Sequence, residues 1–374
     1  MKKFVVFVLC FFILSTRVYA TNAKGSILME YSTGEVLMEE NSFEHLYPAS
    51  MTKMMTLLLI MESIDNGKIK LTDKVTISEN ASNMGGSQVY LNVGEVMSVD
   101  ELIKSICIAS ANDSAVALAE FVAGSEEKFV KLMNNEVKKL GLSNTNFENV
   151  HGLHSENHYS CPNDMAVIAR ELLKHQKILD YSSIYEEYLK KNDGSSVWMV
   201  NTNKLIRYYK GLDGLKTGFT DKAGYCLTAT AKRNNMRLIS VVMGEETSEI
   251  RSKDTVELLD YGYNNYKLKT IFKNNIELGK VKINNGKKDY VELKLTNDVV
   301  DLVDVNEEGK YDYKLKINKI KAPVYVGDKV GVLELYKDGK KINSFNITVK
   351  ESIKKANIWD LYKKNFKYIV SGNV

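Results

Sequence analysis

The spacing of apolar positions changes several times along this chain, and each change predicts an element. Residues 4–14 are an apolar run behind Lys2 and Lys3, and Val18-Tyr19-Ala20 offers small residues where a signal peptidase reads. Residues 1–20 therefore read as a secretory signal peptide, with an uncleaved anchor as the alternative; the run is short for a membrane span. From Gly25, apolar runs on either side of Ser32-Thr33-Gly34-Glu35 predict a hairpin. Met51–Ile64, opened by Pro48-Ala49-Ser50, is apolar around nearly its whole circumference, which marks a buried helix. Helical spacing returns over 99–121 with a break near Ser110, over Glu126–Leu140 before Gly141, over Asp164–Leu179, and over Ser252–Tyr263. Before that last helix, 227–231 and 238–243 have the period of short strands.

From about Lys269 to Lys350 the texture is different. Strand-sized runs such as 291–295, 313–317 and 330–335 alternate with turns, and Asn285-Gly286 and Asp338-Gly339 are good hairpin signals. This predicts a small all-β, sandwich-like domain without a cluster of chemically active residues. Beyond it Trp359, Tyr362, Phe366, Ile369 and Val370 recur at helical spacing, with the lysines largely on the other side. Such a basic amphipathic helix suits a membrane surface; packing on the β domain is the other use of the same face.

At 374 residues the chain is long enough for two domains, and 44% hydrophobic with 26% charged residues is an ordinary globular balance. Loss of residues 1–20 removes Lys2, Lys3 and Arg17, so the net charge falls from +4 to +1. Residues 352–374 hold +4 of that, which leaves about −3 elsewhere and no basic face to recruit nucleic acid. Cys10 leaves with the signal. Cys107, Cys161 and Cys226 remain, without C-x-x-C spacing, and read as three buried thiols, one disulfide being the alternative.

Three short groups carry the chemistry: Ser50-Met51-Thr52-Lys53, Ser110-Ala111-Asn112 and Lys216-Thr217-Gly218. S-x-x-K recurs at Ser125 and Ser352, and S-x-N at four other serines, so position decides which copies count. Ser50 opens a buried helix, Ser110 sits at a break between helices, and Lys216 leads into strand-like sequence. A serine hydroxyl is a weak nucleophile until a base takes its proton. Residues three apart on a helix share a face, so Lys53 can reach Ser50 Oγ. Burial and the charge of Lys216 would keep the Lys53 amine neutral. Ser110 can pass a proton to a leaving amine, and Asn112 can both donate to and accept from a peptide bond. Lys216, kept charged, and Thr217 can hold a carboxylate. Gly218 lets an acyl group lie against the strand, and the N–H groups of Ser50 and Phe219 would receive an oxyanion.

These groups resemble the D-alanyl-D-alanine carboxypeptidases, the low-molecular-mass penicillin-binding proteins. The similarity takes in Tyr47-Pro48-Ala49-Ser50-Met51-Thr52-Lys53, Gly86-Ser87, Val93-Gly94-Glu95, Ser110-Ala111-Asn112-Asp113, His151-Gly152-Leu153 and Gly211–Thr220. Ser160-Cys161-Pro162-Asn163-Asp164 departs from the family's commoner threonine and alanine. The resemblance implies an α/β (α+β) penicillin-recognising, β-lactamase-like domain over 21–268, with an antiparallel sheet flanked by helices. A β domain over 269–350 and an amphipathic tail over 351–374 also fit the family.

It further implies a serine-type enzyme, without cofactor or metal, at the outer face of the bacterial cytoplasmic membrane. There it would remove the terminal D-alanine from peptidoglycan stem peptides through an acyl-Ser50 ester, and β-lactams would trap the same serine. Ser50, Lys53 and Ser110 are the expected catalytic residues. Asn112, Lys216, Thr217, Gly218, Phe219, Thr220 and Arg251 are the expected substrate-binding ones, Arg251 helping with the terminal carboxylate. Competing readings are a β-lactamase, which needs an extra glutamate for deacylation and resembles neither the β domain nor the tail, and an endopeptidase of cross-linked wall. A zinc site at His151, His154 and His158 lacks a helical frame to converge the rings, and a non-catalytic wall-binding module would have no need of both Ser50 and Lys53.

Overall fold

Two central strands with apolar side chains on both faces organise the first part of the molecule. The computed structural model describes residues 21–191 and 193–370; the expected signal peptide lies outside the described residues. The Cα trace divides into two compact units, one of residues up to Met29, Val36–Ala231 and Ile239–Leu259, the other of Glu30–Glu35, Lys232–Leu238 and the chain from Asp260.

The first unit begins with β1 (Gly25–Glu30) and β2 (Val36–Glu40), paired as the predicted hairpin, then α1 (Lys53–Asp65). A short ribbon of β3 (Lys74–Thr76) and β4 (Val96–Ser98) encloses α2 (Glu79–Ser82). Next come α3 (Val99–Ala109), α4 (Asn112–Ala123), α5 (Glu126–Lys139), α6 (Pro162–Leu172) and α7 (Ile178–Ser182). A second ribbon, β5 (Glu186–Lys190) with β6 (Ser196–Val200), precedes α8 (Leu205–Tyr208). Then follow β7 (Leu212–Thr220), β8 (Gly224–Arg233), β9 (Met236–Glu245) and α9 (Ser248–Asn265). The main sheet is antiparallel, in the order β2-β1-β9-β8-β7, which leaves β7 on an edge. β8 and β9 are buried along nearly their whole length; β9 reads as a nearly continuous apolar run, while β8 alternates apolar residues with the buried Thr228 and Thr230.

Helix α1 is the core of the helical layer: every residue from Lys53 to Met61 is buried, against α4, α5, α6 and β7. The predicted helix from Met51 starts differently, because Ala49–Thr52 form a 3-10 turn and regular α geometry begins only at Lys53. The single helix expected over 164–179 is two. Cys161 caps α6 with Pro162 at its first position, which moves the start upstream, and tight turns at 174–180 separate α7. The β5–β6 ribbon had no clear signal in the sequence.

In the second unit β10 (Tyr266–Phe272) pairs with β13 (Val299–Asp304). A six-stranded sheet, β14-β16-β17-β12-β11-β15, is built from β11 (Lys280–Asn284), β12 (Tyr290–Leu295), β14 (Tyr311–Ile317), β15 (Ile320–Lys321), β16 (Lys329–Lys337) and β17 (Lys340–Val349). Its core is aliphatic, with Val291, Leu293, Leu295, Leu333, Leu335 and Ile347 almost fully enclosed. The two predicted hairpin turns join β11 to β12 and β16 to β17, with Asn285 and Asp338 at positive φ. The last described element is α10 (Ile358–Val370), where Trp359, Tyr362 and Phe366 are exposed and their rings follow one another along the helix. The side chains of Lys364, Lys367, Ile369 and Val370 lie outside the described residues. Cys107, Cys161 and Cys226 are free and buried. Among the described residues, no helix is long and apolar enough to cross a membrane.

Candidate active site

Ser50 stands in the 3-10 turn ahead of α1, where side chains at i and i+3 nearly eclipse. That geometry brings Lys53 Nζ to 2.9 Å from Ser50 Oγ. The same amine donates to His151 O at 2.7 Å, and Ser50 Oγ lies 3.5 Å from that carbonyl. The turn is held under strain, since Ala49 adopts φ 45°, a region costly for any residue with a Cβ.

Two glycines press on it from opposite parts of the chain. A Cβ on Gly152 would lie 1.8 Å from Ala49 O, and one on Gly218 would lie 2.7 Å from Pro48 O. The backbone can approach this closely only where both side chains are missing. Edge strand β7 therefore runs directly beside the Ser50 turn, with Lys216, Thr217 and Gly218 in register with Thr228, Leu227 and Cys226 of β8.

Ser110 closes α3 at φ 62°, ψ 31°, and Ala111 caps α4, so the predicted helix break is a single left-handed residue. Ser110 Oγ and Asn112 Oδ1 are buried with no protein hydrogen-bond partner, and so is Arg251 Nε. Polar atoms left in this way are costly to fold, and they concentrate where a ligand will complete them. The other end of the Asn112 amide is fixed: Nδ2 donates to Gly85 O at 2.6 Å, and the backbone N donates to Ser87 O at 2.7 Å.

Electrostatics separate the two lysines. Lys53 is fully enclosed, and burial pushes its ammonium well below the ordinary lysine range; Lys216 adds to this, while Asp113 opposes it. Burial also pushes Lys216 down, to about 7, and the Arg251 guanidinium contributes in the same direction. A Cys107 thiolate would raise it, but burial pushes that thiol up to about 12, so it is neutral near pH 7. Both lysines are thus pushed toward the neutral amine, Lys53 well below the ordinary range and Lys216 to about 7, where the sequence suggested a permanent cation. An incoming carboxylate would raise Lys216 again.

The remaining expected residues divide. Thr217 Oγ1 is 2.6 Å from Thr202 Oγ1, and Arg251 is buried on α9. Phe219 is exposed and packs against Tyr225 with the rings tilted by 34° and 4.3 Å between centroids. Thr220 instead accepts from Ala223 N at 3.1 Å and shapes the β7–β8 turn.

Four contributors had no role assigned from sequence: the His151 carbonyl, Gly152 as a spacer and Asp113, which lie in segments that carry the resemblance, and Thr202, which does not. The Asp113 carboxylate takes the N–H groups of Val89 and Leu91, each at 3.1 Å, and so fixes the loop that holds Asn112. His158 receives Glu148 N on Nδ1 at 3.1 Å, which makes Nε2 the protonated nitrogen toward Thr52 Oγ1, at 2.8 Å. His151 Nδ1 accepts from Leu153 N at 3.1 Å. These two rings organise the loop, and the described residues contain no cluster of three or more metal-ligating groups.

Comparison with known proteins gives one consistent result. Residues 14–247 match the family model for D-alanyl-D-alanine carboxypeptidase, Peptidase S11, and residues 266–355 match the C-terminal domain of penicillin-binding protein 5. The D-alanyl-D-alanine carboxypeptidase DacF of Bacillus subtilis is 47% identical over 348 residues, covering 92% of this chain and 89% of its own length. The structure of penicillin-binding protein 5 from Haemophilus influenzae superposes with a TM-score of 0.72 at 34% identity, covering 90% of this chain and 98% of that one. Penicillin-binding protein D2 of Listeria monocytogenes in its ampicillin-bound form gives a TM-score of 0.59 at 32% identity, over 65% of this chain and 98% of that one. With that breadth of match, the chain belongs to the S11 family of D-alanyl-D-alanine carboxypeptidases.

Proposed function

We propose that this protein removes the terminal D-alanine from peptidoglycan stem peptides through an ester on Ser50, and that β-lactams acylate the same oxygen. The observation that carries the proposal is the fully buried Lys53 amine, held 2.9 Å from Ser50 Oγ by its second bond to His151 O. Neutral Lys53 takes the Ser50 proton as Oγ attacks the carbonyl of the penultimate D-alanine. The N–H groups of Ser50 and Phe219 receive the negative charge on the carbonyl oxygen; one such donor often contributes about 3 kcal/mol. Ser110 relays the proton to the departing amine of D-alanine. Water then attacks the ester, with Lys53 again as base, and free Ser50 is restored.

Substrate is held by groups that are otherwise incomplete. Asn112 Oδ1, buried without a partner, is suited to accept from a substrate N–H. Lys216, Thr217 and Arg251 suit the terminal carboxylate, whose charge favours the protonated form of Lys216. β7 is an edge strand, so its free backbone groups can pair with an extended acyl chain along Gly218. We further propose export through the 1–20 signal, and attachment to the outer face of the cytoplasmic membrane through α10. The exposed row Trp359, Tyr362 and Phe366 supports attachment over packing on the β domain.

Mass spectrometry tests the central step. Incubation with benzylpenicillin should add one equivalent of its mass at Ser50, a defined pentapeptide should lose one alanine, and Ser50→Ala should abolish both. An unchanged mass of the folded wild-type protein after penicillin would refute the proposal.

A further inference from the structure

The β5–β6 ribbon is fastened to both walls of the site. Just beyond β6, Thr202 meets the Thr217 hydroxyl at 2.6 Å, and its N–H donates to Ile108 O at 3.3 Å. At the opposite end, Lys191 donates from Nζ to Tyr90 O and pairs with the Glu95 carboxylate at 3.5 Å. Both of those charged side chains are almost wholly enclosed, at 6% and 5% exposure. Tyr90 belongs to the loop whose Gly85 and Ser87 carbonyls hold Asn112. The ribbon is therefore continuous with the rim of the cleft at both ends.

Its two faces differ. Leu189 and Met199 point inward and are buried. Tyr188 and Trp198 stand directly opposite each other in register on the outer face, and are 64% and 58% exposed. Two large rings at directly paired positions give this face of the ribbon its apolar surface, since cross-strand neighbours have Cβ atoms about 5 Å apart. Along that face Glu186 and Lys190 balance in charge, so it carries no basic cluster for phosphate or anionic lipid.

We propose that Tyr188 and Trp198 are a platform for a sugar ring of the glycan strand from which the stem peptide hangs. The inference rests on the carboxypeptidase reading above and extends it from the peptide to the polymer. The reach agrees. Trp198 is four residues from Thr202, about 13 Å along a strand. An extended pentapeptide spans roughly 17 Å from the terminal carboxylate at Thr217 to its sugar-bearing end, within about one residue's length of that distance. An uncharged pyranose presents a face of C–H groups, and aromatic rings with a polar edge bind such amphipathic surfaces well.

The test compares one pentapeptide free and linked to its disaccharide. In the Tyr188→Ser/Trp198→Ser double variant, the ratio of kcat/KM for the glycan-linked substrate to that for the free peptide should fall about tenfold, the loss of aromatic contact area. A ratio equal to the wild-type value overturns the proposal, because damage to the ribbon would lower both substrates together. If neither substrate is hydrolysed by the wild type, the carboxypeptidase reading fails instead, so the two failures are distinguishable. The chain has two tryptophans, so Trp359→Phe leaves Trp198 as the sole tryptophan, excited selectively over the tyrosines at the red edge of the absorption band. Its fluorescence should change on titration with a peptide-free oligomer of N-acetylated amino sugar. No change up to millimolar oligomer would also overturn the proposal.

Discussion

Gly152→Ala should silence Ser50 without unfolding the protein. Gly152 has φ 88°, and a Cβ there would sit 1.8 Å from Ala49 O and 2.9 Å from Thr52 Oγ1. Ordinary contact for a carbon begins at 3.4 Å, so the loop or the Ser50 turn must give way by 3.4 − 1.8, about 1.6 Å. The loop is not free to move, because Thr56 Oγ1 on α1 donates to its Val150 O at 2.6 Å and its His151 carbonyl holds Lys53. The displacement therefore falls on the Ser50 turn, and a shift of about 1 Å in reacting groups costs roughly a hundredfold in rate. Backbone strain adds about 1–2 kcal/mol of instability for alanine at positive φ.

Gly141→Ala supplies the control. Gly141 has φ 71° with nothing within 4 Å of the added Cβ, so it incurs the strain without the collision. The assay is the rate of acylation by a chromogenic cephalosporin, read beside thermal unfolding. Both variants should melt a few degrees lower, at about 2–4 °C per kcal/mol for a unit of this size. Only Gly152→Ala should lose acylation, by about a hundredfold. If it melts like Gly141→Ala and acylates within about threefold of the wild type, the loop yields and the positioning argument is wrong.

Further predictions concern charge, loop and surface. Lys216 loses its proton above about 7, so kcat/KM for a peptide ending in a carboxylate should fall through an alkaline limb near that pH. In Lys216→Arg the guanidinium stays charged, and a pH–rate profile should lose that limb even as the maximum drops; persistence of the limb would assign it elsewhere. Asp113→Ala strips the acceptors from the N–H groups of Val89 and Leu91 and should cost about 3 kcal/mol, whereas Asp113→Asn keeps one acceptor and should recover much of it. Equal melting temperatures for the two variants would count against that role. Trp359→Ser with Phe366→Ser should release the full chain from vesicles containing anionic lipid, with penicillin acylation as the control for folding; sedimentation unchanged from wild type would argue against α10 as the anchor.

Much of the site can be read from short segments because its chemistry is local. Ser50 and Lys53 are three residues apart, so the pair follows from any tight helical turn. The break at Ser110 is a change of hydrophobic period within one window, and Lys216-Thr217-Gly218 lies on a strand whose buried residues are contiguous. The start of α1 was less legible. A 3-10 turn and an α-helix share their apolar pattern, and they are told apart only by how Gly152 and Gly218 crowd the backbone.

What the sequence offered by itself was the candidate reacting set, the longer helices and several strands of the first domain, the aliphatic β domain and the terminal helix. Each depends on residues within a few positions of one another. Tertiary structure alone decided that the His151 carbonyl, 98 residues from Lys53, aims its amine. It also decided that Thr202 fixes Thr217, that Asp113 fastens the Asn112 loop, and that burial pushes Lys216 below the ordinary lysine range. Those features arise from burial and from contacts between residues 15 to 98 positions apart in the chain, so no local pattern announces them.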